Sequence, residues 1–143
     1  MRILGIETSC DETAAAVVED GRRILSSIVA SSRTTFERSG GVIPEEAARQ
    51  QIPAILPVIT QALEDAKVKP EELDSIAVTY GPGLMGSLLV GVTTARVLSR
   101  AWRVPLIPVH HTLGHLSSVW LLPPDMTDEG EAPTFPVLTL SAS

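Results

Sequence analysis

The fold class follows from the opening segment MRILGIETSCDETAAAVVEDGRRILSSIVA, residues 1–30. Two short apolar runs within it, Ile3 to Glu7 and Ala14 to Val18, are typical of buried strands. Asp20-Gly21 favours a two-residue hairpin turn, so a third strand from Ile24 to Ala30 is expected to pair with the second. The chain therefore begins with three consecutive strands, two of them joined by a hairpin.

Helices and strands alternate along the rest of the chain. The expected elements are a helix from Pro44 to about Ala66, a strand from Ile76 to Tyr80, a helix from Gly83 to about Trp102, a strand from Leu106 to Val109 and a helix starting at the histidines. Pro53 and Pro57 lie inside the first helix and predict a kink or an interruption there. A hairpin followed by α/β crossovers predicts an α/β fold with a mixed five-stranded sheet and flanking helices, the order of a ribonuclease H-like, actin-like ATPase half-domain.

The expected domain boundary is a polar, acidic segment between Pro123 and Pro133. We expect residues 1–122 to form the half-domain, residues 123–134 a linker, and residues 135–143 the first strand of a second actin-like domain. The apolar content of 44% is sufficient for one core, and with 3% aromatic residues that core must be largely aliphatic.

The composition excludes several classes of protein. A net charge of -6 argues against a protein that binds nucleic acid by itself. It is compatible with an RNA substrate that a partner protein binds. The single cysteine, Cys10, cannot form an intrachain disulfide and suits a reducing compartment. The N-terminus turns acidic too early for a secretory signal, and the longest apolar run, Leu88 to Val92, is too short to cross a bilayer. We therefore expect a cytoplasmic protein with no membrane contact.

All three histidines fall in the segment HHTLGH, residues 110–115, directly after a predicted strand. His111 and His115 are four residues apart, so on a helix they share one face and can reach one ion. Imidazole suits zinc or iron, which makes this pair the candidate metal site. Thr112 follows His111 where a zinc peptidase of the HExxH type would have its general-base glutamate. A third ligand is not identifiable, and His110 is not obviously placed to be one.

Two loops are candidates for ligand binding. The loop from Glu7 to Thr13 combines acids and hydroxyls between two strands, which suits phosphate or metal binding, but a plain polar turn fits equally well. Within it, the two acids after Cys10 disfavour a thiolate, so a nucleophilic cysteine is not expected. Gly81-Pro82-Gly83 ends a strand and opens a helix, where open α/β sheets bind ligands, although a turn with close helix packing explains it as well.

Four segments together resemble the TsaD family of tRNA threonylcarbamoyladenosine synthesis proteins, whose older name was O-sialoglycoprotein endopeptidase. They are MRILGIETSCDET at the N-terminus, GGVIPEEAAR at 40–49, YGPGLMGSLLVG at 80–91 and PVHHTLGH at 108–115. Gln51 and Glu46 depart from the family pattern, since they stand where histidine and leucine are common. Family members have two actin-like halves, so the resemblance implies that this chain is a first half plus one strand, truncated and inactive by itself.

The resemblance implies transfer of the threonylcarbamoyl group from threonylcarbamoyl-AMP to N6 of adenosine 37 in tRNAs that read codons starting with A. It implies one iron or zinc ion per full-length subunit, bound by His111, His115 and an aspartate of the other half, with an adenylate-type nucleotide in the cleft. The polar loop from Ser9 to Glu12 would face the phosphate of the adenylate. Asp11 or Glu12 would act as acid/base or positioning groups. The implied substrate-binding residues are Ser9, Gly83, Ser141, Ala142 and Ser143.

The resemblance also implies partners and leaves rivals. TsaB and TsaE would be the protein partners, with the helices of this half forming a dimer face, and tRNA the substrate. The rival hypotheses are a metal-dependent endopeptidase, a non-catalytic TsaB-like scaffold and a generic actin-like ATPase or sugar kinase. The absent glutamate counts against the first, and the retained His111 and His115 count against the other two.

Overall fold

The structure, a computed structural model, describes residues 1–31, 43–123 and 126. Its strands are β1 (Arg2–Glu7), β2 (Glu12–Glu19), β3 (Arg23–Ser31), β4 (Ser75–Gly81) and β5 (Leu106–His110). Its α-helices are α1 (Pro44–Ala66), α2 (Met85–Trp102) and α3 (His111–Ser117), with short 3-10 turns at Pro70–Glu72 and Ser118–Trp120. Every strand and helix expected in residues 1–122 is therefore present.

The five strands form one mixed sheet in the order β3-β2-β1-β4-β5. β1 pairs antiparallel with β2, and β2 with β3, whereas β1–β4 and β4–β5 are parallel. The predicted mixed five-stranded sheet is thus confirmed. Because β1, β4 and β5 run in the same direction, their carboxyl ends meet at one edge of the sheet, where crevices for ligands form in open α/β folds.

The core lies between the sheet and helices α1 and α2. Burial alternates along β1 and β2, with Leu4 and Ile6 on the covered face, as expected for strands with one face buried. α1 contributes Ile55, Val58 and Ile59 to the same cluster, and all three are less than a tenth exposed. The core is aliphatic, in agreement with the composition.

Of the kink or interruption predicted in the first helix, the interruption is wrong, because α1 is continuous through Pro53 and Pro57. Both prolines are exposed and four residues apart, so they lie on the solvent side of the helix. The carbonyl groups that lose their N–H partners there can be hydrated. The opposite face packs on the sheet through buried residues such as Ala47, Ile55 and Ala62, and this packing offsets the lost hydrogen bonds.

The predicted linker and the strand from 135 to 143 lie, apart from Pro123 and Met126, outside the described residues. The domain division at residue 122 therefore stays a prediction. In the described part of the chain, no helix is both long enough and apolar enough to span a bilayer.

Candidate active site at the carboxyl ends of the parallel strands

Three of the segments singled out in the sequence meet at the carboxyl edge of the sheet. The loop that starts at Thr8 follows β1, Pro82-Gly83 follows β4, and His111 follows β5. A contact between Ser9 and His111 joins the first segment to the third, across 102 positions of sequence. The site is therefore built from groups that the parallel sheet brings together.

The two histidines of α3 face each other as their spacing predicts. The Nε2 atoms of His111 and His115 are 3.0 Å apart, and the rings lie edge to face with centroids 4.4 Å apart. Two nitrogen ligands about 2.1 Å from one ion are separated by roughly 3.0–3.4 Å at octahedral to tetrahedral angles. The pair therefore fits zinc or iron in ligand type and in the separation of its nitrogen atoms.

The described residues supply no third ligand to this pair. Among them, no group of three or more histidine, cysteine or acidic side chains has the arrangement of a metal site. His110 is not part of the pair, since its ring packs edge to face against Tyr80 with centroids 6.3 Å apart. A complete metal site thus needs a further ligand from outside the described part of the chain.

The other ring nitrogen of His111 faces the loop after β1. His111 Nδ1 lies 3.1 Å from Ser9 Oγ and 3.5 Å from Glu7 Oε2, and the Ser9 N–H donates to Glu7 Oε1 at 2.5 Å. Ser9 was a predicted site residue, whereas Glu7 was not singled out. The sequence contains a signal for Glu7, because it is an acid at the end of the strand RILGIE. Apart from Arg2, the other residues of that strand are apolar.

Hydrogen bonds keep the Glu7 carboxylate ionised. Burial raises its pKa, but the hydroxyl groups of Ser9 and Thr79 and the Ser9 N–H all lower it by hydrogen bonding, and the net pKa is below the ordinary value. Electrostatic attraction to the nearby His111 lowers it further. Glu7 is therefore a fixed negative charge and a hydrogen-bond acceptor on the Nδ1 side of His111.

A buried side chain from α1 holds the loop that carries the predicted acids. Gln51, 1% exposed, donates its amide hydrogens to the carbonyl oxygens of Cys10 and Glu12 at 3.0 and 2.9 Å. Asp11 lies between these two anchor points and lines a cavity of about 160 Å³. Glu12 is exposed at the start of β2. The structure thus places Ser9 beside the histidines and Asp11 and Glu12 further along the same loop.

Cys10 is exposed, and its thiol is not activated. Partial burial and the neighbouring Asp11 both raise its pKa, so a thiolate is disfavoured at neutral pH. This agrees with the expectation that Cys10 is not a nucleophile.

The predicted glycine turn packs directly against the same loop. A Cβ atom at Gly83 would lie 2.5 Å from the Ser9 carbonyl oxygen, and the Leu84 N–H donates to that oxygen at 2.7 Å. The buried Thr8 hydroxyl donates to the Ser87 carbonyl at 2.8 Å on the first turn of α2. These contacts hold the end of β1 against α2. Close packing therefore explains why glycine stands at position 83, and the Leu84 N–H is engaged by the Ser9 carbonyl.

A groove of about 360 Å³ extends from the histidine pair over the sheet face opposite α1 and α2. Its floor is made of small side chains, among them Gly5, Ala16 and Ala77, which are direct neighbours across three strands. His111 and His115 line one wall. A bound molecule in this groove would contact an apolar floor and the two imidazoles.

The sequence model of TsaD, tRNA N6-adenosine threonylcarbamoyltransferase, matches residues 23–143. The chain belongs to this family. A protein of that name from Thermomicrobium roseum is 54% identical over all 143 residues of the chain, which cover 39% of its length. One from Dehalococcoides mccartyi is 50% identical, again over the whole chain and 42% of the relative. The chain thus spans about two fifths of these relatives.

Solved structures support the fold. YeaZ from Pseudomonas aeruginosa is similar with a TM-score of 0.55 and 23% identity, over 77% of this chain and 45% of that one. A second structure, of an uncharacterized protein similar to the peptidase YEAZ from Pseudomonas aeruginosa, gives a TM-score of 0.57 over 82% of this chain and 47% of that one. The predicted ribonuclease H-like, actin-like fold is confirmed, whereas the division into a half-domain and a linker stays a prediction.

Proposed function

We propose that the chain carries part of the active site of a tRNA N6-adenosine threonylcarbamoyltransferase. The reaction transfers the threonylcarbamoyl group of threonylcarbamoyl-AMP to N6 of adenosine 37 in tRNAs that read codons beginning with A. Family membership supports the reaction class. The proposed site rests on one observation: the Nε2 atoms of His111 and His115 lie 3.0 Å apart at the carboxyl edge of the sheet.

The reaction needs a held electrophile and a group that accepts a proton. A bond forms between N6 and the carbamoyl carbon, and the bond from that carbon to the phosphate oxygen breaks, so AMP leaves with the electron pair. The proton lost from N6 goes to a carboxylate, for which we propose Asp11 or Glu12 on the loop that Gln51 clamps. Holding the reactants in one geometry supplies much of the rate.

We propose that His111 and His115 hold one iron or zinc ion, with an aspartate from outside the described residues as the third ligand. When bound, such an ion supplies Lewis-acid stabilisation and orients the threonyl group. Ser9 and Gly83, and Ser141, Ala142 and Ser143 beyond the described residues, are proposed to contact the adenylate substrate. The groove beside the pair offers space for part of it.

The proposed protein partners are TsaB and TsaE, and we propose that TsaB binds an apolar helical face. This face consists of Ile52 and Leu56 on α1 and Met85, Leu89 and Val97 on α2, all more than half exposed. The two helices meet closely, since a Cβ atom at Gly86 would lie 3.1 Å from Ala48. Exposed apolar patches of this kind mark protein interfaces. A cytoplasmic location follows from the proposed tRNA substrate.

An endopeptidase is less well supported. Such an enzyme needs a carboxylate base beside the metal-bound water. Within the described part of the chain, the carboxylate that contacts His111 is Glu7, which faces Nδ1 and accepts the Ser9 N–H. It therefore lies on the side of the ring away from His115 Nε2.

The proposal is tested with a full-length relative in which residues 1–143 of this chain replace the matching segment. In a strain depleted of its own threonylcarbamoyladenosine synthesis, we expect this chimera to restore the modified nucleoside, measured by mass spectrometry of tRNA digests. His111→Ala and His115→Ala are expected to abolish it. His110→Gln is the matched control, because His110 packs on Tyr80 instead of joining the pair. Full modification with both alanine variants would refute the role of the pair.

A further inference from the structure

The hydrogen bonds around His111 define which of its nitrogens carries the proton. Ser9, 5% exposed, is flanked by the imidazole and by Glu7: its N–H donates to Glu7 Oε1 at 2.5 Å, and its Oγ lies 3.1 Å from His111 Nδ1. Glu7 Oε2 lies 3.5 Å from the same nitrogen. Both oxygen atoms can accept the Nδ1–H of His111.

This arrangement leaves the Nε2 lone pair of a neutral His111 directed at His115. The opposite tautomer would set the Nδ1 lone pair against the Glu7 carboxylate oxygen, 3.5 Å away. It would also place a hydrogen on Nε2, which could donate to His115 Nε2 at 3.0 Å but would block metal binding at that atom. The Glu7 carboxylate therefore favours the Nδ1–H form, which leaves Nε2 free for a metal ion.

The carboxylate is held on rigid structure. Glu7 is the last residue of β1 and pairs with Ala14 of β2, whose small side chain leaves room beside it. The Ser9 N–H donates to the carboxylate at 2.5 Å. An orienting group built on a strand is positioned more accurately than one on a loop.

We propose that Glu7 is a positioning residue: through Ser9 and by direct attraction, it holds the His111 imidazole as the Nδ1–H tautomer, with Nε2 free to bind a metal ion. The inference rests on the proposed metal role of the histidine pair. Groups that orient a metal-binding histidine in this way change metal affinity by about 10- to 100-fold.

The variant Glu7→Gln keeps the shape of the side chain but brings an amide donor toward Ser9 and Nδ1. We expect the His111 tautomer to shift toward Nε2–H, measured on the metal-free protein by long-range ¹H–¹⁵N NMR at about pH 8, where an ordinary imidazole is neutral. In the chimera, the dissociation constant for Zn²⁺, measured by competition with a chromophoric chelator, should rise by about tenfold or more. Glu19→Gln is the matched control, because Glu19 is a sheet carboxylate that pairs with Arg2 instead.

Ser9→Ala and the double variant complete the test. Because Glu7 and Ser9 act on the same nitrogen atom of His111, the double variant should lose less Zn²⁺ affinity than the sum of the losses in the two single variants. An unchanged His111 tautomer and Zn²⁺ dissociation constant in Glu7→Gln would overturn the inference while leaving the proposed function intact. If the unmutated chimera binds no Zn²⁺, the metal role fails instead, and the tautomer measurement still decides whether Glu7 orients His111.

Discussion

Gly91 of α2 and Thr8 at the end of β1 are packed so closely that a Cβ atom at position 91 would overlap the Thr8 hydroxyl oxygen. Thr8 cannot move aside easily, since it is fully buried and donates to the Ser87 carbonyl. This contact joins the candidate site to the helix behind it. The next residue in the chain after Thr8 is Ser9, which contacts His111.

The first prediction is that Gly91→Ala destabilises the protein by about 1–3 kcal/mol, because overpacking outweighs the better helix propensity of alanine. Gly114→Ala is the matched control: Gly114 also lies in a helix, but a Cβ atom there meets nothing within 4 Å. It should be neutral or slightly stabilising. Urea unfolding of both variants is the measurement, and equal stabilities would show that Thr8 and Gly91 can separate freely.

The second prediction concerns the clamp on the acidic loop. Gln51→Leu leaves the Cys10 and Glu12 carbonyls without their donor, so amide hydrogen exchange at Asp11 and Glu12 should accelerate. The expected loss of stability is about 1–3 kcal/mol. Gln51→His can donate to only one carbonyl when neutral, and an intermediate effect is expected. Gln50→Leu next to it should leave exchange in the loop unchanged; acceleration there too would point to a general loosening of α1.

The third prediction follows from the lowered pKa of Glu7. A carboxylate whose pKa is lower in the folded state stabilises the protein above its unfolded-state pKa, and this stabilisation is lost as the pH falls through the folded-state pKa. Below about pH 4.5, the free energy of unfolding should therefore decrease less with falling pH in Glu7→Gln than in the unmutated protein. Urea unfolding between pH 7 and pH 3 measures it. Identical pH profiles for the variant and the unmutated protein would contradict the ionised, hydrogen-bonded state of Glu7.

The fourth prediction is that this 143-residue chain releases zinc or iron on dialysis, whereas the chimera described above retains about one ion per subunit. The reason is that two imidazoles are too few for tight binding, and the described residues offer no third ligand. Metal analysis after dialysis is the test. One ion firmly held by the chain alone would mean that its third ligand lies within residues 1–143.

The fifth prediction is that Leu89→Lys in the chimera abolishes co-purification with TsaB while its metal content stays unchanged. Leu89 lies in the apolar helical face, 57% exposed, so a lysine there costs little in folding but much in an apolar interface. Val29→Lys, at an apolar residue of β3 that is 55% exposed and outside this helical face, is the control for added charge. If both variants bind TsaB equally, TsaB contacts a surface other than this apolar helical face.

Local patterns in the sequence were sufficient for the elements and for the histidine pair. Strand periodicity, the Asp20-Gly21 turn and the crossovers predicted the mixed sheet, since these signals act over a few residues and agree with one another. The spacing of His111 and His115 predicted a shared face because helix geometry alone sets it. The family resemblance added the reaction and the expected third ligand, which no local pattern contains.

Only the tertiary structure revealed the groups that come from distant positions. Glu7 and Ser9 meet His111 across about a hundred residues because β1, β4 and β5 run parallel and end at one edge. Gln51 reaches the Asp11 loop from a helix, and α1 passes Pro53 and Pro57 unbroken because its opposite face is packed on the sheet. Sequence patterns indicate the local conformation that a residue prefers. The contacts named here depend instead on which distant segments of the chain the sheet brings within about 3 Å of each other.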